Sequence, residues 1–269
     1  MDPVLAFIGG GNMASAIIGG LLKSGRPAGS VIVVEPFDAQ RDKLRSDFGV
    51  QALAAPDTTL AEAALVVWAV TPQMFHAAAA PCAPHVAGAL HLSVMAGIRS
   101  IAIATAAGTQ RVVRAMPNTP ALIGQGIAGL FARAAVTATD QAEVETVLAP
   151  TGRTLWVANE EDLDAVTALS GSGPAYVFYF VEAMMQAALD MGLSAEQGKQ
   201  LALATFAGAT SLAEASDDPP DVLRERVTSK GGTTYAALTS LESSGVKEAF
   251  IKALRAAQHR AHELGDEFG

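Results

Sequence analysis

The stretch Val4-Leu5-Ala6-Phe7-Ile8-Gly9-Gly10-Gly11-Asn12-Met13-Ala14 constrains this chain more than any other. Its first five residues are apolar, a run short enough for a strand buried on both faces of a parallel sheet. Three glycines then break the run. Gly9 permits a tight turn, Gly11 lets a pyrophosphate approach the backbone, and Ala14 stands where a small residue lets helix and strand pack closely. Residues 13–22 read as a helix whose free N–H groups and dipole suit a phosphate. The pattern G-x-G-x-x-A after a strand points to a dinucleotide; the same residues could also make a tight turn with no ligand. Residues 4–22 carry no charge and have the length of a membrane span. The glycine triplet followed by Asn12, with acidic Asp2 ahead of it, favours strand plus helix instead.

Residues 31–34 form a second apolar, β-branched run ending in Glu35-Pro36, and 39–48 read as a charged amphipathic helix. Residues 65–70, 91–94 and 111–114 read as strands, with helices near 74–80 and 98–106 between them. Residues 126–132 and 155–157 are candidates to extend the sheet. Strands alternating with helices predict βαβ units and an α/β, doubly wound, mostly parallel sheet. From about Asn159 the pattern turns helical, at 162–169, 174–191, 195–215, 222–227, 234–241 and 246–264. Two domains follow, 1–158 for a dinucleotide and 159–269 all-α. The helix at 174–191 is apolar on most of its faces, which predicts burial against a second subunit.

Five further stretches carry candidate chemistry. Ala69-Val70-Thr71-Pro72-Gln73 follows a strand at the carboxyl edge, where open α/β sheets bind ligands. Met95-Ala96-Gly97 follows another, with residues small enough for a flat ring to lie against. Arg114-Ala115-Met116-Pro117-Asn118-Thr119-Pro120 is a proline-bracketed loop, either a ligand contact or a structural turn. Leu169-Ser170-Gly171-Ser172-Gly173-Pro174 reads as a Gly/Ser loop running into a helix with Pro in its first turn. In Val227-Thr228-Ser229-Lys230-Gly231-Gly232-Thr233-Thr234, backbone N–H groups and the hydroxyls of Ser229, Thr233 and Thr234 can meet a small carboxylate. A plain helix cap by Thr233 is the alternative.

Together these stretches resemble the pyrroline-5-carboxylate reductase family over nearly the whole chain. The resemblance is carried by FIGGGNMA at 7–14, AVTPQ at 69–73, RAMPNTP at 114–120, LSGSGPAY at 169–176 and VTSKGGTT at 227–234. It implies a Rossmann domain followed by a helical domain that interlocks in a homodimer, often built into larger assemblies. It implies hydride transfer from NADPH or NADH to the imine carbon of a cyclic imino acid, giving L-proline as the last step of its synthesis. Gly9, Gly10, Gly11, Asn12, Met13, Ala69, Val70, Thr71, Pro72, Met95, Ala96 and Gly97 would hold the coenzyme, with Ile8 and Asn118 beside them. Ser229, Gly231, Gly232, Thr233 and Thr234 would hold the substrate. Ser229 and Thr234 are the catalytic candidates, Thr234 nearest the imine. Its hydroxyl is too weak an acid to work like His, but it can bond the ring nitrogen and orient it, since a cyclic imine can arrive protonated from water.

The chain departs from that family in three places. Many relatives have Lys where Thr71 stands, Pro where Lys230 stands, and a basic or small polar residue near Glu35. Glu35 ends the second strand, where a carboxylate can accept from both ribose hydroxyls and repel a 2′-phosphate, tilting the choice toward NADH. Pro36, Arg41 and Lys43 pull the other way. Rival readings are a reductase for a six-membered imine or a hydroxyacid, and a coenzyme-binding protein without turnover. Hydroxyacid enzymes of this build usually carry a catalytic Lys on a long helix, and none follows Gly173 until Lys199.

A net charge of −9 without a basic cluster argues against nucleic acid and anionic membranes as partners. Cys82 is the only cysteine, so no intrachain disulfide can form, and the expected location is the cytoplasm. No zinc-type spacing exists. His259 and His262, three residues apart, read as a solvated helix face rather than a metal site.

Overall fold

Strands that are apolar on both sides need cover on both faces, and the helices between them supply it. The computed structural model describes residues 2–268; Met1 and Gly269, the outer ends of the two expected domains, lie outside them. In chain order the first part runs β1 (Val4–Ile8), α1 (Asn12–Lys23), β2 (Val31–Val34), α2 (Asp38–Phe48), β3 (Gln51–Leu53), β4 (Ala63–Trp68), α3 (Phe75–Val86), β5 (Leu90–Ser93) and α4 (Ser100–Ala107). It continues with β6 (Val112–Met116), β7 (Gly126–Ala132), α5 (Ala138–Leu148) and β8 (Gly152–Trp156). The strands make one eight-stranded sheet in the order β3-β2-β1-β4-β5-β6-β7-β8. β1 to β6 pair in parallel, β7 runs antiparallel to β6, and β8 is parallel to β7. The order reverses between β1 and β4, and it is there that sheets of this kind open a crevice.

Alternate residues feed two cores. Leu5, Phe7, Val31, Val33, Leu65, Val67, Leu90 and Leu92 meet Ile17 and Ile18 of α1, Leu44 of α2 and Val144 and Leu148 of α5. Ala6, Ile8, Ile32, Val34, Val66 and Trp68 meet Phe75, Ala79, Cys82 and Val86 of α3 and Ile103 of α4. Each large side chain so buried contributes about 1.5–3 kcal/mol. This is the doubly wound sheet that the alternation predicts. Within the second core Trp68 Nε1 donates to His91 Nδ1 at 2.9 Å, and His91 Nε2 lies 3.0 Å from the Val86 carbonyl. Burial pushes the His91 imidazole down to about 4, so this histidine is a neutral core group.

Three local expectations differ from what is observed. α3 continues past residue 80 through Pro81 and Pro84. Both prolines are exposed while Phe75, Ala79, Cys82 and Val86 are buried, so one apolar face offsets the lost hydrogen bonds. β3 and α5 have no counterpart in the sequence reading. The 169–174 segment is not a loop: α6 (Asp162–Val166) runs into a single π-helical turn, Thr167–Gly171, and then into α7 (Gly173–Asp190). Ser172 N–H donates to the Thr167 carbonyl at 2.8 Å, closing the wide turn. Gly171 packs against Met116: a Cβ there would lie 2.6 Å from Met116 Cε.

After α7 come α8 (Ala195–Glu214), α9 (Pro220–Arg226), α10 (Thr233–Ser243) and α11 (Val246–Phe268). The chain divides into two compact units, one of residues up to Gly173 together with those from Ala256 on, the other Pro174–Arg255. The expected cut at 158/159 follows the end of the sheet; the compact unit also takes in α6, the π turn and the end of α11. In the second unit Phe250 stacks edge-on against Tyr176 and Phe180, with ring centroids 5.8 and 5.7 Å away. Ala188 meets Gly198 where α7 and α8 cross: a Cβ at Gly198 would lie 2.9 Å from that of Ala188.

Candidate functional site

The turn after β1 shows what each glycine does. Gly9 has φ +94°, and a Cβ there would lie 2.7 Å from the Ala69 carbonyl oxygen. At Gly10 a Cβ would strike Leu44 Cδ1 at 2.5 Å. Both positions are therefore glycine for the protein's own packing. Gly11 differs: a Cβ there would meet nothing within 4 Å. The fold does not need that glycine, and the space it leaves lies at the start of α1. Gly11 is the N-cap and offers no side chain, so the first N–H groups of the helix, from Asn12 and Met13 on, are left for an outside acceptor. This is the cradle a pyrophosphate requires.

Ile8, Gly9, Gly10, Gly11, Glu35, Ala69, Val70 and Thr71 line one cavity of about 910 Å³, near the upper end for a small-molecule site. Eight of the coenzyme candidates thus meet in one place. Pro72 opens the short turn behind Thr71, whose hydroxyl makes no capping bond. Pro36 and Lys43, weighed above against Glu35, line the wall too, and Phe37, Gln40, Met74 and the 54–56 segment, which were not foreseen, complete it. They come from α2, the end of β3 and the start of α3, which only the fold brings together. Gln40 Nε2 donates to the Gly10 carbonyl at 2.5 Å, so α2 braces the glycine turn.

Glu35 is the buried charge of this cavity, 6% exposed. Its Oε2 accepts from Gly10 N–H at 2.9 Å and its Oε1 from Phe37 N–H at 3.0 Å. Each oxygen keeps a second lone pair. The nearby cations are engaged elsewhere. Arg41 Nη1 donates to the Glu35 carbonyl at 2.8 Å and its other end pairs with Asp38. Lys43 pairs with Asp47 at 2.8 Å.

Met95, Ala96 and Gly97 lie at the same sheet edge, after β5, but do not line the cavity. Met95 is buried, and its N–H donates to Ser93 Oγ at 3.3 Å. Asn118 does not line it either. Its Oδ1 accepts from Ile127 N–H at 3.0 Å, tying the turn Thr119–Ile123 to β7.

The substrate candidates sit in the helical unit. Gly231 has φ +77°, Gly232 N–H donates to the Ser229 carbonyl at 3.0 Å, and Gly232 caps α10 without any side-chain bond. The first N–H groups of α10 are open. The hydroxyls of Thr228 and Thr239 bond the carbonyls four residues back, whereas those of Ser229, Thr233 and Thr234 take no such bond among the described residues. Thr233 is thus not the cap; open donors and free hydroxyls share one turn.

A family model described as pyrroline-5-carboxylate reductase dimerisation matches residues 160–264, and one described as NADP oxidoreductase, coenzyme F420-dependent, matches 4–97. The pyrroline-5-carboxylate reductase of Pseudomonas aeruginosa is 41% identical over 269 residues, 99% of this chain and 98% of that one. That of Pisum sativum is 34% identical, over 97% of this chain and 95% of that one. A pyrroline-5-carboxylate reductase structure from Coxiella burnetii superposes with a TM-score of 0.91 at 35% identity, covering 98% of this chain and 99% of that one. The Plasmodium falciparum pyrroline carboxylate reductase structure, which has NADP bound, gives 0.87 at 27% identity over 98% of each chain.

Proposed function

This chain belongs to the pyrroline-5-carboxylate reductase family, and from that premise we propose how its own residues carry out NAD(P)H-dependent reduction of 1-pyrroline-5-carboxylate to L-proline. The bound dihydronicotinamide supplies the hydride to the imine carbon. Gly11 and the first N–H groups of α1, at Asn12 and Met13, hold the pyrophosphate. Gly9, Gly10, Ala69, Val70 and Thr71 shape the cavity around it, and Met95, Ala96 and Gly97 support the ring. The substrate carboxylate takes the open N–H groups at the start of α10, with Gly231, Gly232 and Thr233 forming the nest. Ser229 and Thr234 orient the imine. The observation that carries this reading is the uncapped start of α10, whose donors and unspent hydroxyls match a small imino acid carboxylate.

The test is coenzyme oxidation with 1-pyrroline-5-carboxylate against a no-substrate control, with the six-membered imine and a 2-ketoacid as competitors. Turnover with the five-membered imine is expected. No turnover with either coenzyme overturns the proposal in favour of a coenzyme-binding protein.

The family's dimerisation region supports oligomer formation, and we infer a homodimer, or a multiple of one, built through the helical unit. Across Pro174–Arg255 only Val181, Ala188, Gly198 and Ala202 are buried. Phe178 is 59%, Tyr179 69%, Leu212 61% and Met191 79% exposed. A helical unit that leaves so much apolar surface open needs a partner. The interface is expected to exceed about 2,000 Å². Light scattering should show a dimer or larger species, and Phe178→Asp should drive it toward monomer; an active wild-type monomer contradicts this. No helix among the described residues is long and apolar enough to cross a membrane. With one buried cysteine, a reducing cytoplasmic setting is the location we infer.

A further inference from the structure

The segment that follows β5 carries Met95, Ala96 and Gly97 and ends in Arg99 and Ser100, and it is fastened from three directions. Gly97 has φ +72°, and a Cβ there would lie 3.3 Å from both Cβ and the carbonyl oxygen of Leu264 in α11. Ser100 donates its N–H to Glu160 at 2.6 Å and its hydroxyl to the same carboxylate at 2.5 Å. Arg114 Nη1 holds that carboxylate at 2.6 Å. Burial pushes Glu160 up, but the bonds from Ser100 and the charge of Arg114 outweigh it and hold the group below its ordinary value.

The third fastening is Arg99. Its Nη2 lies 3.4 Å from Asp164 Oδ2 and 3.2 Å from His262 Nδ1. His262 Nδ1 is in turn 3.2 Å from Asp164 Oδ2. His262 is therefore not simply part of a solvated face; it closes a three-membered cluster with α6. The guanidinium sits in a notch on α11: a Cβ at Gly265 would fall 2.5 Å from Arg99 Nε and Nη2. A side chain at Gly265 would push the guanidinium out of this position.

We infer that Arg99, seated in the Gly265 notch and paired with Asp164 with His262 beside them, is a positioning residue for hydride transfer. It fixes the backbone of the 95–97 segment that supports the coenzyme ring. The inference rests on the proposed assignment of that segment. The physical reason is that beyond Met95, whose side chain is in the core, Ala96 and a left-handed Gly97 have no side chain to hold a fixed path alone. A misplacement of about 1 Å at a reacting ring can cost about 100-fold in rate. Arginine suits the role because its charge is fixed and its flat guanidinium fits the notch that Gly265 leaves, with Nη2 beside Asp164.

Three variants test this: Arg99→Ala, Gly265→Ala and Ala96→Leu. Gly265→Ala displaces only the mobile end of a long side chain and so keeps the fold even where Arg99→Ala does not; thermal melts identify any variant that unfolds. Amide exchange of 95–99 in the coenzyme-free protein is read first, then coenzyme affinity by titration calorimetry, then kcat and the deuterium isotope effect with 4-deuterated coenzyme. Both clamp variants are expected to speed exchange at 95–99, lower kcat about 10-fold, enlarge the isotope effect and leave coenzyme Kd within about threefold. Ala96→Leu is expected to weaken coenzyme binding and turnover. If Ala96→Leu impairs the enzyme while the clamp variants match wild type in exchange, kcat and isotope effect, the role of Arg99 is overturned and the loop assignment stands. If Ala96→Leu changes neither affinity nor turnover, the loop assignment itself fails.

Discussion

Thr234→Ala is expected to cut kcat about 100-fold, some 2.7 kcal/mol of barrier, while coenzyme affinity stays at its wild-type value. The side chain stands in the first turn of α10, next to open backbone donors, and its hydroxyl is free to bond the ring nitrogen of the substrate. The substitution is structurally mild. Gly232, not Thr234, is the cap residue, and alanine is the better helix former. A loss of activity would therefore report on the missing hydroxyl rather than on the helix. Thr234→Ser restores the donor and should recover most of the rate. Steady-state rates that match wild type in the purified Ala variant would remove Thr234 from the mechanism.

The second large effect concerns coenzyme choice. A 2′-phosphate entering the ribose end of the cavity would face the Glu35 carboxylate, while Arg41 and Lys43 are engaged with Asp38 and Asp47. At 4 Å and an effective dielectric of 20 the repulsion is about 4 kcal/mol. The cavity opens to solvent, and with about a third surviving, the penalty is near 1.4 kcal/mol, or tenfold. NADH is therefore expected to outperform NADPH in kcat/KM by about tenfold, and Glu35→Ser to erase that margin. The same substitution removes the acceptor of Gly10 N–H, so both coenzymes should bind more weakly than in wild type. A wild-type preference for NADPH above tenfold, unchanged in Glu35→Ser, would show that Glu35 braces the glycine turn and reads nothing.

Much of this was legible in the chain because the informative residues act locally. The run at 31–34 coincides with β2, since a strand covered on both faces has no polar residue to blur its ends. The glycine turn was readable for the same reason. What escaped was either short or tertiary. β3 is three residues at the sheet edge with Gln51 exposed, too little for a pattern. α5 announces itself only by its capping box, Thr137 with Asp140, a signal present in the sequence. The π turn at Thr167–Gly171 looks like a Gly/Ser loop because Met116, which packs against Gly171, is far away in sequence. The cluster of Arg99, Asp164 and His262 spans three distant segments, and no spacing rule joins them. Gln40 lines the cavity from a helix face that reads as solvent-exposed and charged.

The lone thiol has a practical consequence. Cys82 is sealed on the buried face of α3, and burial pushes it up to about 11, so near neutral pH only about one molecule in 10⁴ carries the reactive thiolate. Maleimides and spin-label reagents should pass it by. The wild-type chain is thus already a silent background for labelling. A cysteine placed at Gly29, which is exposed and has open space where a side chain would stand, would be the one site that takes a fluorophore, and a distance between two such dyes would report on assembly without any prior removal of native cysteine.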